Sequence, residues 1–347
     1  MKVSVVIPTH NDEGTIAETL ESVFAQRFDD SFEVIVVNDG STDRTRAVLA
    51  EFGDRIRVID QENRGVGVAR NVGIRVAAGE YIALLDGDDT LTEEMLQKTV
   101  PVLDKNPGCV AVFADGMEVD DAGKVINPHY VEPGCDHPPT LDEMLAGRPW
   151  PILVGSIVIR RETLLAIGGF PEDFKPGYWG GEDTFIYLLV RERGEFMYVP
   201  EVVVRHRVRE VRAHYVHRLR DRRFEIHSAQ AFRDFERRFG GHLILARLAR
   251  EHFGARGRKI ADWAIERTAE ELVTVGLMAM HDGNREFARR CYRASIRYRP
   301  LMFKTYLRFG WAMLPAKISQ AISPMLAPAM RRSLSGPPFS MLQDRAQ

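Results

Sequence analysis

The sequence predicts an α/β fold built on a parallel, doubly wound sheet and followed by an α-helical C-terminal region. Two observations support this prediction. In the first two hundred residues, short apolar runs alternate with amphipathic helical patterns, and this alternation is typical of parallel strands joined by helices. From Val211 onwards the apolar residues recur at helical spacing only, which indicates a second region made of helices.

The predicted elements follow one another in a regular order. Each strand is a short apolar run bounded by glycine, proline or charged residues, and each helix has apolar residues every three or four positions. The predicted strands are Val3–Ile7, Phe32–Val37, Ile56–Ile59, Tyr81–Leu85, Cys109–Phe113, Ile152–Arg160 and Phe196–Val204. The predicted helices are Gly14–Ala25, Asp43–Phe52, Val66–Ala78, Thr92–Leu103, 183–193, 265–280 and 284–299. Residues 127–150, rich in proline, glycine and histidine, predict a long loop where an acceptor could bind.

Charge is divided unevenly along the chain. Residues 1–204 contain 18 Lys and Arg against 36 Asp and Glu, whereas residues 205–347 contain 29 against 13. This asymmetry suggests two structural units and an anionic partner for the basic one. Docking of the basic part on the acidic part would account for it equally well.

Cysteine usage and hydropathy limit the possible location of the protein. The three cysteines are far apart and form no CxxC motif, which favours a reducing compartment over a disulfide framework or a zinc site. The N-terminus enters a strand almost at once and has too little apolar content for a signal peptide. No stretch reaches about 18 consecutive apolar residues, so no transmembrane helix is expected. A cytoplasmic location is predicted.

Four polar segments stand where ligands bind in such sheets, just beyond the strands. They are 8–13 (PTHNDE), 38–43 (NDGSTD), 86–89 (DGDD) and 180–183 (GGED). The three carboxylates of the DGDD segment repel one another unless a cation holds them. Oxygen ligands suit Mg²⁺ or Mn²⁺, and these ions commonly arrive with a phosphate. The segment therefore predicts a metal-diphosphate site.

Two other enzyme classes share parts of this pattern. Asp39 stands where a dinucleotide-binding protein has its ribose-binding acid, but the glycine-rich segment 64–73 follows it instead of preceding it, which argues against a dehydrogenase. Segment 86–91 (DGDDTL) resembles the motif of the haloacid-dehalogenase phosphatases, with Asp86 as nucleophile. That motif normally ends the first strand of its domain, whereas about 80 residues precede it here.

The resemblance that accounts for all four segments is to the family 2 glycosyltransferases. It rests on VSVVIPTHND, FEVIVVNDGSTD, NRGVGVARNVGI, GEYIALLDGDD and IGGFPEDFKPGYWGGEDTFIYLLV. It implies a Rossmann-like transferase fold of the GT-A type, with a mixed, mainly parallel sheet and helices on both faces. The implied domains are a catalytic domain at 1–207, with a nucleotide-binding half (1–115) and an acceptor half (116–207), and a basic helical region at 208–347.

The resemblance also implies residues for the nucleoside and phosphates of the donor. Pro8, Thr9 and His10 would line the nucleoside pocket, although His10 stands where tyrosine is common in the family. Asp39 would accept the N3–H of a uracil or thymine ring through a charge-assisted hydrogen bond. The remaining donor-binding positions match family positions beside the base, ribose and phosphates. They are Asn63, Arg70 and Asp86.

The metal and the catalytic base are assigned in the same way. Asp88 would bind Mn²⁺ or Mg²⁺ directly, and His206 would complete the metal shell. Asp183, with Glu182 beside it at the start of a helix, would be the general base that deprotonates the acceptor hydroxyl, because a helix N-terminus stabilises a carboxylate. A base opposite the leaving group implies inversion at the anomeric carbon.

The C-terminal region has a different pattern. Residues 311–332 combine tryptophan, methionine, leucine and isoleucine with arginine, a composition that suits the surface of an anionic membrane carrying a lipid-linked acceptor. Helical packing or homo-oligomerisation would also explain it. Nothing in the sequence indicates a nucleic-acid partner.

The sequence thus predicts an inverting, metal-dependent glycosyltransferase of the hexosyltransferase type. Its donor would be a nucleotide-diphosphate sugar, UDP-linked first of all, and its acceptor a hydroxyl of a saccharide or a lipid-linked molecule, as in polysaccharide synthesis. Two alternatives stay open at this point. They are a haloacid-dehalogenase-like phosphatase with Asp86 as nucleophile, and a non-catalytic binding protein on a transferase fold.

Overall fold

The structure of the protein, a computed structural model, describes residues 1–147, 150–176, 181–208, 228–281, 284–301 and 303–313. These residues divide into two compact units. The first contains the described residues up to 208 together with 228–265, and the second contains those from 266 onwards. The first unit therefore also includes helical segments from the predicted C-terminal region, and the boundary expected at residue 207 stays a prediction.

In the described residues, nine strands form one sheet in the first unit. The strands are β1 (Val3–Thr9), β2 (Phe32–Asp39), β3 (Arg57–Gln61), β4 (Tyr81–Leu84), β5 (Thr90–Leu91), β6 (Cys109–Val119), β7 (Val125–Asn127), β8 (Ile157–Arg160) and β9 (Glu195–Arg207). Their order across the sheet is β3-β2-β1-β4-β8-β6-β9-β5, with β7 beside β6.

Seven of the eleven described helices lie at the positions of predicted helices, and four are additional to that list. The eleven are α1 (Ile16–Phe24), α2 (Thr45–Ala50), α3 (Val66–Val76), α4 (Met95–Lys105), α5 (Leu141–Leu145), α6 (Arg161–Ala166), α7 (Glu182–Arg193), α8 (Ser228–Phe253), α9 (Arg258–His281), α10 (Arg285–Tyr298) and α11 (Phe303–Met313). The predicted helical stripe from Val211 falls partly on residues 209–227, which lie outside the described ones, as do residues 314–332.

Strand direction confirms a mixed, mainly parallel sheet. β1 pairs in parallel with β2 and β4, β2 with β3, and β6 with β9. β8 runs antiparallel to both β4 and β6, β5 to β9, and β7 to β6, so the wholly parallel sheet expected from the alternation alone is wrong at these three strands. After β8 the chain turns at once into α6, and Arg161 N donates to Glu80 O at 3.0 Å, beside the start of β4.

Helices cover both faces of the sheet because the strands at its centre are apolar on both sides. β1 is buried along its whole length. Val6 packs in the same cluster as Ala69 and Ile74 of α3, whereas Val5 packs in the cluster that contains Ile16 of α1. Successive side chains of a strand point to opposite faces, so one short strand supplies both layers of the core.

Local sequence explains the departures from the predicted elements. The strand expected from residue 152 begins only at Ile157, because 154–156 form a 3-10 turn. The loop expected at 127–150 contains α5, whose start carries a capping box between Thr140 and Glu143. β5 and β7 are too short, at two and three residues, to leave a periodic signal in the sequence.

The second unit is an all-helical structure in its described residues. The two predicted helices are present as the C-terminal part of α9 and as α10, and Ser295 Oγ donates to Ala269 O between them at 2.9 Å. Tyr292 is fully buried in this packing. Among the described helices of the chain, none combines the length and the apolar character that crossing a membrane requires.

Candidate active site

A cleft of about 530 Å³ opens at the carboxyl ends of β1, β2 and β4. It is where the strand registers bring the polar segments together, since Thr9 of β1 lies opposite Asn38 of β2. Ten of the eleven predicted site residues line this cleft. They are Pro8, Thr9, His10, Asp39, Arg70, Asp86, Asp88, Glu182, Asp183 and His206. Asn63, the eleventh, contacts the ring of His10.

His10 is held as one wall of the predicted nucleoside pocket. Its Nδ1 lies 2.8 Å from the main-chain oxygen of Asp39, and its Nε2 lies 3.1 Å from Nδ2 of Asn63. A carbonyl oxygen only accepts, so Nδ1 carries the proton and Nε2 accepts. The tautomer and the ring plane are therefore fixed before any ligand binds.

Asp39 is a buried carboxylate that the main chain surrounds with donors. Its Oδ1 accepts from Gln61 Nε2 at 2.6 Å and from Arg64 N at 2.8 Å, and its Oδ2 accepts from Gly65 N at 2.8 Å. These bonds fix the carboxylate at the start of α3. A carboxylate offers about four acceptor positions, so this one can accept a further N–H from a ligand in the cleft.

The DGDD segment fits closely against the loop after β1. A Cβ at Gly87 would lie 2.8 Å from Asp12 Oδ2 and 3.1 Å from Thr9 Oγ1, so only glycine allows this approach. The carbonyl of Gly87 also accepts from Thr15 Oγ1 at 3.0 Å and from Thr19 Oγ1 at 3.1 Å. The direction of the carboxylates on either side of Gly87 is set by this packing.

Asp89 and Arg207 join the same segment to the end of β9. Asp89 is buried, and its Oδ1 accepts from Arg207 N at 2.8 Å. Arg207 Nε donates in turn to the main-chain oxygen of Asp88 at 3.1 Å. Asp89 Oδ2 lies 3.0 Å from Nδ1 of His206. Because the carboxylate accepts a hydrogen bond from Nδ1–H, Nε2 is the nitrogen of His206 that can bind a metal.

The donor set for a divalent cation is small. Asp88 and His206 line the same cleft, and a carboxylate with an imidazole suits Mn²⁺. In the described residues no three side chains of the ligating types converge in the geometry of a ready-made metal site. Such an ion would therefore need oxygen ligands from elsewhere. Mg²⁺ and Mn²⁺ sites in nucleotide enzymes obtain them from substrate phosphates and water, so the residues present fit a cation that binds with a diphosphate.

Arg70 lies at the centre of the site. Its side chain is only 2% exposed, its Nη2 lies 2.7 Å from Asp86 Oδ1, and its Nη1 lies 2.7 Å from Asp183 Oδ1. The guanidinium also stands 5.0 Å over the ring of Phe170. Burial alone would lower the pKa of Arg70, but the charges of Asp183 and Asp86 outweigh burial and raise it above its usual value.

Glu182 and Asp183 open α7 in two different environments. The helix begins after Gly181, whose φ of 111° is a left-handed conformation that glycine adopts readily. Asp183 is one-third exposed and paired with Arg70. Glu182 is buried, and its Oε2 finds no hydrogen-bond partner among the described residues. Burial, with the nearby charge of Asp183, raises the pKa of Glu182 to about 8.

One stretch of the cleft lining is largely apolar. It consists of Tyr130, Ile152, Leu153 and Val154. The main chain at Tyr130 is held by Asp115, a buried residue of β6. The cleft lining therefore combines acidic residues with aromatic and aliphatic ones, as binding sites for amphipathic ligands commonly do.

Several residues that build the site were not singled out from the sequence. Asp89, Asp12 and Arg207 each hold a predicted site residue in place. Asp89 was visible as the third carboxylate of DGDD, and Arg207 as the neighbour of His206. Tyr130 and Asp115 gave no signal, because their contact joins a strand to a loop fifteen residues away.

Comparison with known proteins agrees with this geometry. Residues 4–164 match the family model described as Glycosyl transferase family 2. An uncharacterized glycosyltransferase of Bacillus subtilis, EpsJ, is 39% identical over 107 residues, which are 30% of this chain and 31% of EpsJ. An uncharacterized glycosyltransferase of Rickettsia bellii is 29% identical over 196 residues, 55% of this chain and 26% of that protein. The chain thus spans less than a third of these relatives.

Solved structures with the same fold cover more of the chain. The crystal structure of S. aureus TarS 1–349 has a TM-score of 0.54 and 19% identity, and the similarity covers 89% of this chain and 88% of that one. The same fragment in complex with UDP-GlcNAc has a TM-score of 0.52 and 19% identity, with the same coverage of both chains. The similarity confirms the predicted fold class, a GT-A-type α/β fold followed by a helical region.

Proposed function

We propose that this chain, whose N-terminal region belongs to glycosyltransferase family 2, is an inverting glycosyltransferase that moves a hexose from a UDP-sugar to an acceptor hydroxyl. One observation carries the proposal. The buried guanidinium of Arg70 binds Asp86 and Asp183 at 2.7 Å each, so a residue predicted to bind the donor and the predicted base are held on opposite sides of one side chain. The two are therefore fixed relative to each other, as a direct displacement requires.

The donor would lie along the ends of β2, β1 and β4. Asp39 would accept the N3–H of the uracil ring, beside the fixed ring of His10. The diphosphate would follow towards Asp86 and Asp88. Crystal structures of S. aureus TarS 1–349 contain UDP or UDP-GlcNAc, which makes uridine nucleotides the first donors to test.

A divalent cation would bind at Asp88 and His206, together with the diphosphate. When bound, Mn²⁺ or Mg²⁺ would supply positive charge to the leaving diphosphate. Asp89 would orient His206 through Nδ1, and Arg207 would hold the DGDD segment against β9.

Asp183 would act as the base. Its carboxylate would take the proton of the acceptor hydroxyl while the hydroxyl oxygen forms a bond to the anomeric carbon. The bond from that carbon to the phosphate oxygen breaks, and its electron pair leaves with the nucleotide diphosphate. The positive charge of Arg70 favours the ionised form of Asp183. Glu182, with its raised pKa, would be protonated at neutral pH and is the weaker candidate for the base.

Nucleotide release tests the proposal directly. The purified chain is mixed with Mn²⁺ and a panel of nucleotide sugars, and the nucleotide diphosphate released is measured with wild type, Asp183→Asn and Asp54→Asn, the last being an exposed carboxylate outside the cleft. We expect release from a UDP-sugar with the wild type and the control, and not with Asp183→Asn. Absence of release with every donor, together with absence of UDP–Mn²⁺ binding, would contradict the proposal. Phosphate release from a generic monoester that Asp86→Asn abolishes would point to a phosphatase instead.

The C-terminal region supports a proposal about the acceptor. In the second unit Leu301, Leu307 and Met313 are exposed, and the neighbouring sequence is rich in arginine. Apolar side chains among basic ones suit an anionic membrane surface. We therefore propose a cytoplasmic enzyme that meets a lipid-linked acceptor of polysaccharide synthesis at the membrane. Sedimentation with liposomes tests this point: equal and negligible binding with and without anionic lipid would leave homo-oligomerisation, measurable by light scattering, as the role of this region.

A further inference from the structure

The loop after β7 enters the cleft because one buried carboxylate holds it there. Asp115 is 5% exposed, and its Oδ1 accepts from Tyr130 N at 3.0 Å and from Val131 N at 2.8 Å. Its Oδ2 lies 2.9 Å from His129 Nδ1. Three consecutive residues of the loop are thus bound by a single side chain. A buried carboxylate is costly unless it is hydrogen-bonded in this way, so the loop and Asp115 stabilise each other.

Asp115 lies where β6 departs from regular pairing. The register between β6 and β9 shifts on both sides of Asp115, and such irregularities redirect side chains near the end of a strand. The next residue, Gly116, accepts a second hydrogen bond from Tyr130 N, at 2.8 Å. A Cβ at Gly116 would lie 2.5 Å from Leu153 Cδ1, so the glycine allows Leu153 to approach as part of the same wall of the cleft.

Among the described residues that line the cleft, Tyr130 is the one phenylalanine, tyrosine or tryptophan. It is partly buried and packs against the core cluster that includes Leu153. Asp86, Asp183 and Glu182 line the same cleft. A sugar ring has an apolar face of C–H groups and a rim of hydroxyls, so a cleft that contains both an aromatic side chain and carboxylates fits both parts of it.

The position of Tyr130 favours the sugar of the donor. The main-chain oxygen of Gly116 accepts a hydrogen bond from Tyr130 N. Gly116 pairs with Val204 of β9, which lies two residues before His206. His206 is the residue proposed to bind the metal at the diphosphate. The donor sugar is covalently linked to that diphosphate. Its ring would therefore lie close to the metal site, beside the part of β6 and β9 that holds Tyr130.

We propose that Tyr130 contacts the hexopyranose ring of the nucleotide-sugar donor and that Asp115 is the positioning residue that holds Tyr130 against it. This inference rests on the proposed function and adds to it the residue that recognises the sugar itself. It separates donor binding into two parts, one for the nucleotide at β1, β2 and β4, and one for the sugar at the loop after β7.

The test compares ligands with and without the sugar. Dissociation constants for UDP–Mn²⁺ and for the UDP-sugar that the wild type uses are measured by calorimetry, and KM and kcat by nucleotide release. The variants are Tyr130→Ala, Tyr130→Phe and Asp115→Asn. Asp120→Asn is the matched control, because Asp120 Oδ1 also accepts two main-chain N–H groups, of Ala122 and Lys124, but in a turn that does not line the cleft.

We expect Tyr130→Ala to raise the KM for the UDP-sugar about tenfold or more while UDP binding changes less than twofold. Tyr130→Phe should remain close to wild type, because the ring stays in place. Asp115→Asn should raise the same KM, and the double variant Asp115→Asn with Tyr130→Ala should be no worse than Tyr130→Ala alone, since residues acting through one contact are not additive. Asp120→Asn should behave as wild type.

Other outcomes are distinguishable. A wild type that turns over a UDP-sugar while Tyr130→Ala keeps its KM would overturn this inference and leave the proposed function intact. Additive effects in the double variant would refute the positioning role of Asp115. A wild type that neither binds UDP–Mn²⁺ nor releases nucleotide would refute the proposed function itself. Thermal melting of each variant shows whether it is folded, and Tyr130→Leu replaces Tyr130→Ala if the latter is not.

Discussion

Arg70 Nη1 lies 2.7 Å from Asp183 Oδ1, and the same guanidinium reaches Asp86 through Nη2 at the same distance. The two carboxylates are separated by almost one hundred residues in the sequence and share one buried cation. A planar guanidinium can bind two carboxylates in fixed directions, which an ammonium group cannot do. The proposed base and the donor-binding residue therefore depend on one side chain for their relative position.

Asp183→Asn is expected to lower turnover by about a thousandfold, because general-base catalysis contributes roughly 10²- to 10⁴-fold. The amide has the same shape and does not accept the proton. UDP binding should change less than twofold, since Asp183 is proposed to contact the acceptor and not the nucleotide. The measurement is kcat by nucleotide release together with calorimetric UDP binding. A variant that keeps most of its turnover would remove Asp183 as the base.

Arg70→Lys should damage both stability and activity, although it keeps the positive charge. A lysine is shorter and lacks the planar fork of donors, so it would bind Asp86 and Asp183 with poorer geometry, and breaking a buried ion pair costs about 3–5 kcal/mol in the free energy of unfolding. Because both carboxylates are about one-third exposed, we expect the lower end, about 3 kcal/mol or less. Urea unfolding measures the change. Arg64→Lys, at an exposed arginine that contacts Glu172, is the control, and equal stability of the two variants would contradict the role given to Arg70.

Glu182→Gln should keep at least about half of the turnover at pH 7, because a carboxyl group with a pKa of about 8 is already neutral there. Folding raises the pKa of Glu182 from its ordinary value of 4.5 to about 8. Its contribution to the free energy of unfolding is therefore complete below pH 4.5 and is lost as the pH rises through about 8. The free energy of unfolding of the wild type should therefore decline over this range relative to the variant. Unfolding at pH 5, 7 and 9 measures it, and a loss of turnover equal to that of Asp183→Asn would show that Glu182 acts as a base.

Asp89→Asn should weaken the response to Mn²⁺ without touching a metal ligand. The amide can donate to Nδ1 of His206 and so favour the tautomer whose Nε2 carries the proton. Loss of such an orienting carboxylate typically costs 10- to 100-fold in metal affinity, and we expect a rise of that size in the Mn²⁺ concentration for half-maximal nucleotide release. Asp60→Asn, a carboxylate that hydrogen-bonds Asn38 away from His206, is the control. An unchanged Mn²⁺ response would argue against His206 as a ligand.

The sequence by itself determined the three strands that end at Thr9, Asp39 and Leu84. It also determined which polar side chains follow each of these strands. This was possible because the signal is local. Short, continuous apolar runs are typical of strands in a sheet that is covered on both faces, and the carboxyl ends of parallel strands meet at one edge. The motifs also indicated the family, because the order of the four polar segments is specific.

Only the tertiary structure decided how these side chains divide the work. The burial that separates Glu182 from Asp183, the pairing of Arg70 with two acids, and the support of His206 by Asp89 each depend on contacts between distant segments. The antiparallel direction of β8 and the anchoring of Tyr130 by Asp115 depend on such contacts too. A protonation state or the direction of a side chain is set by the charges and donors around it in space, and neighbours in the sequence do not contain that information.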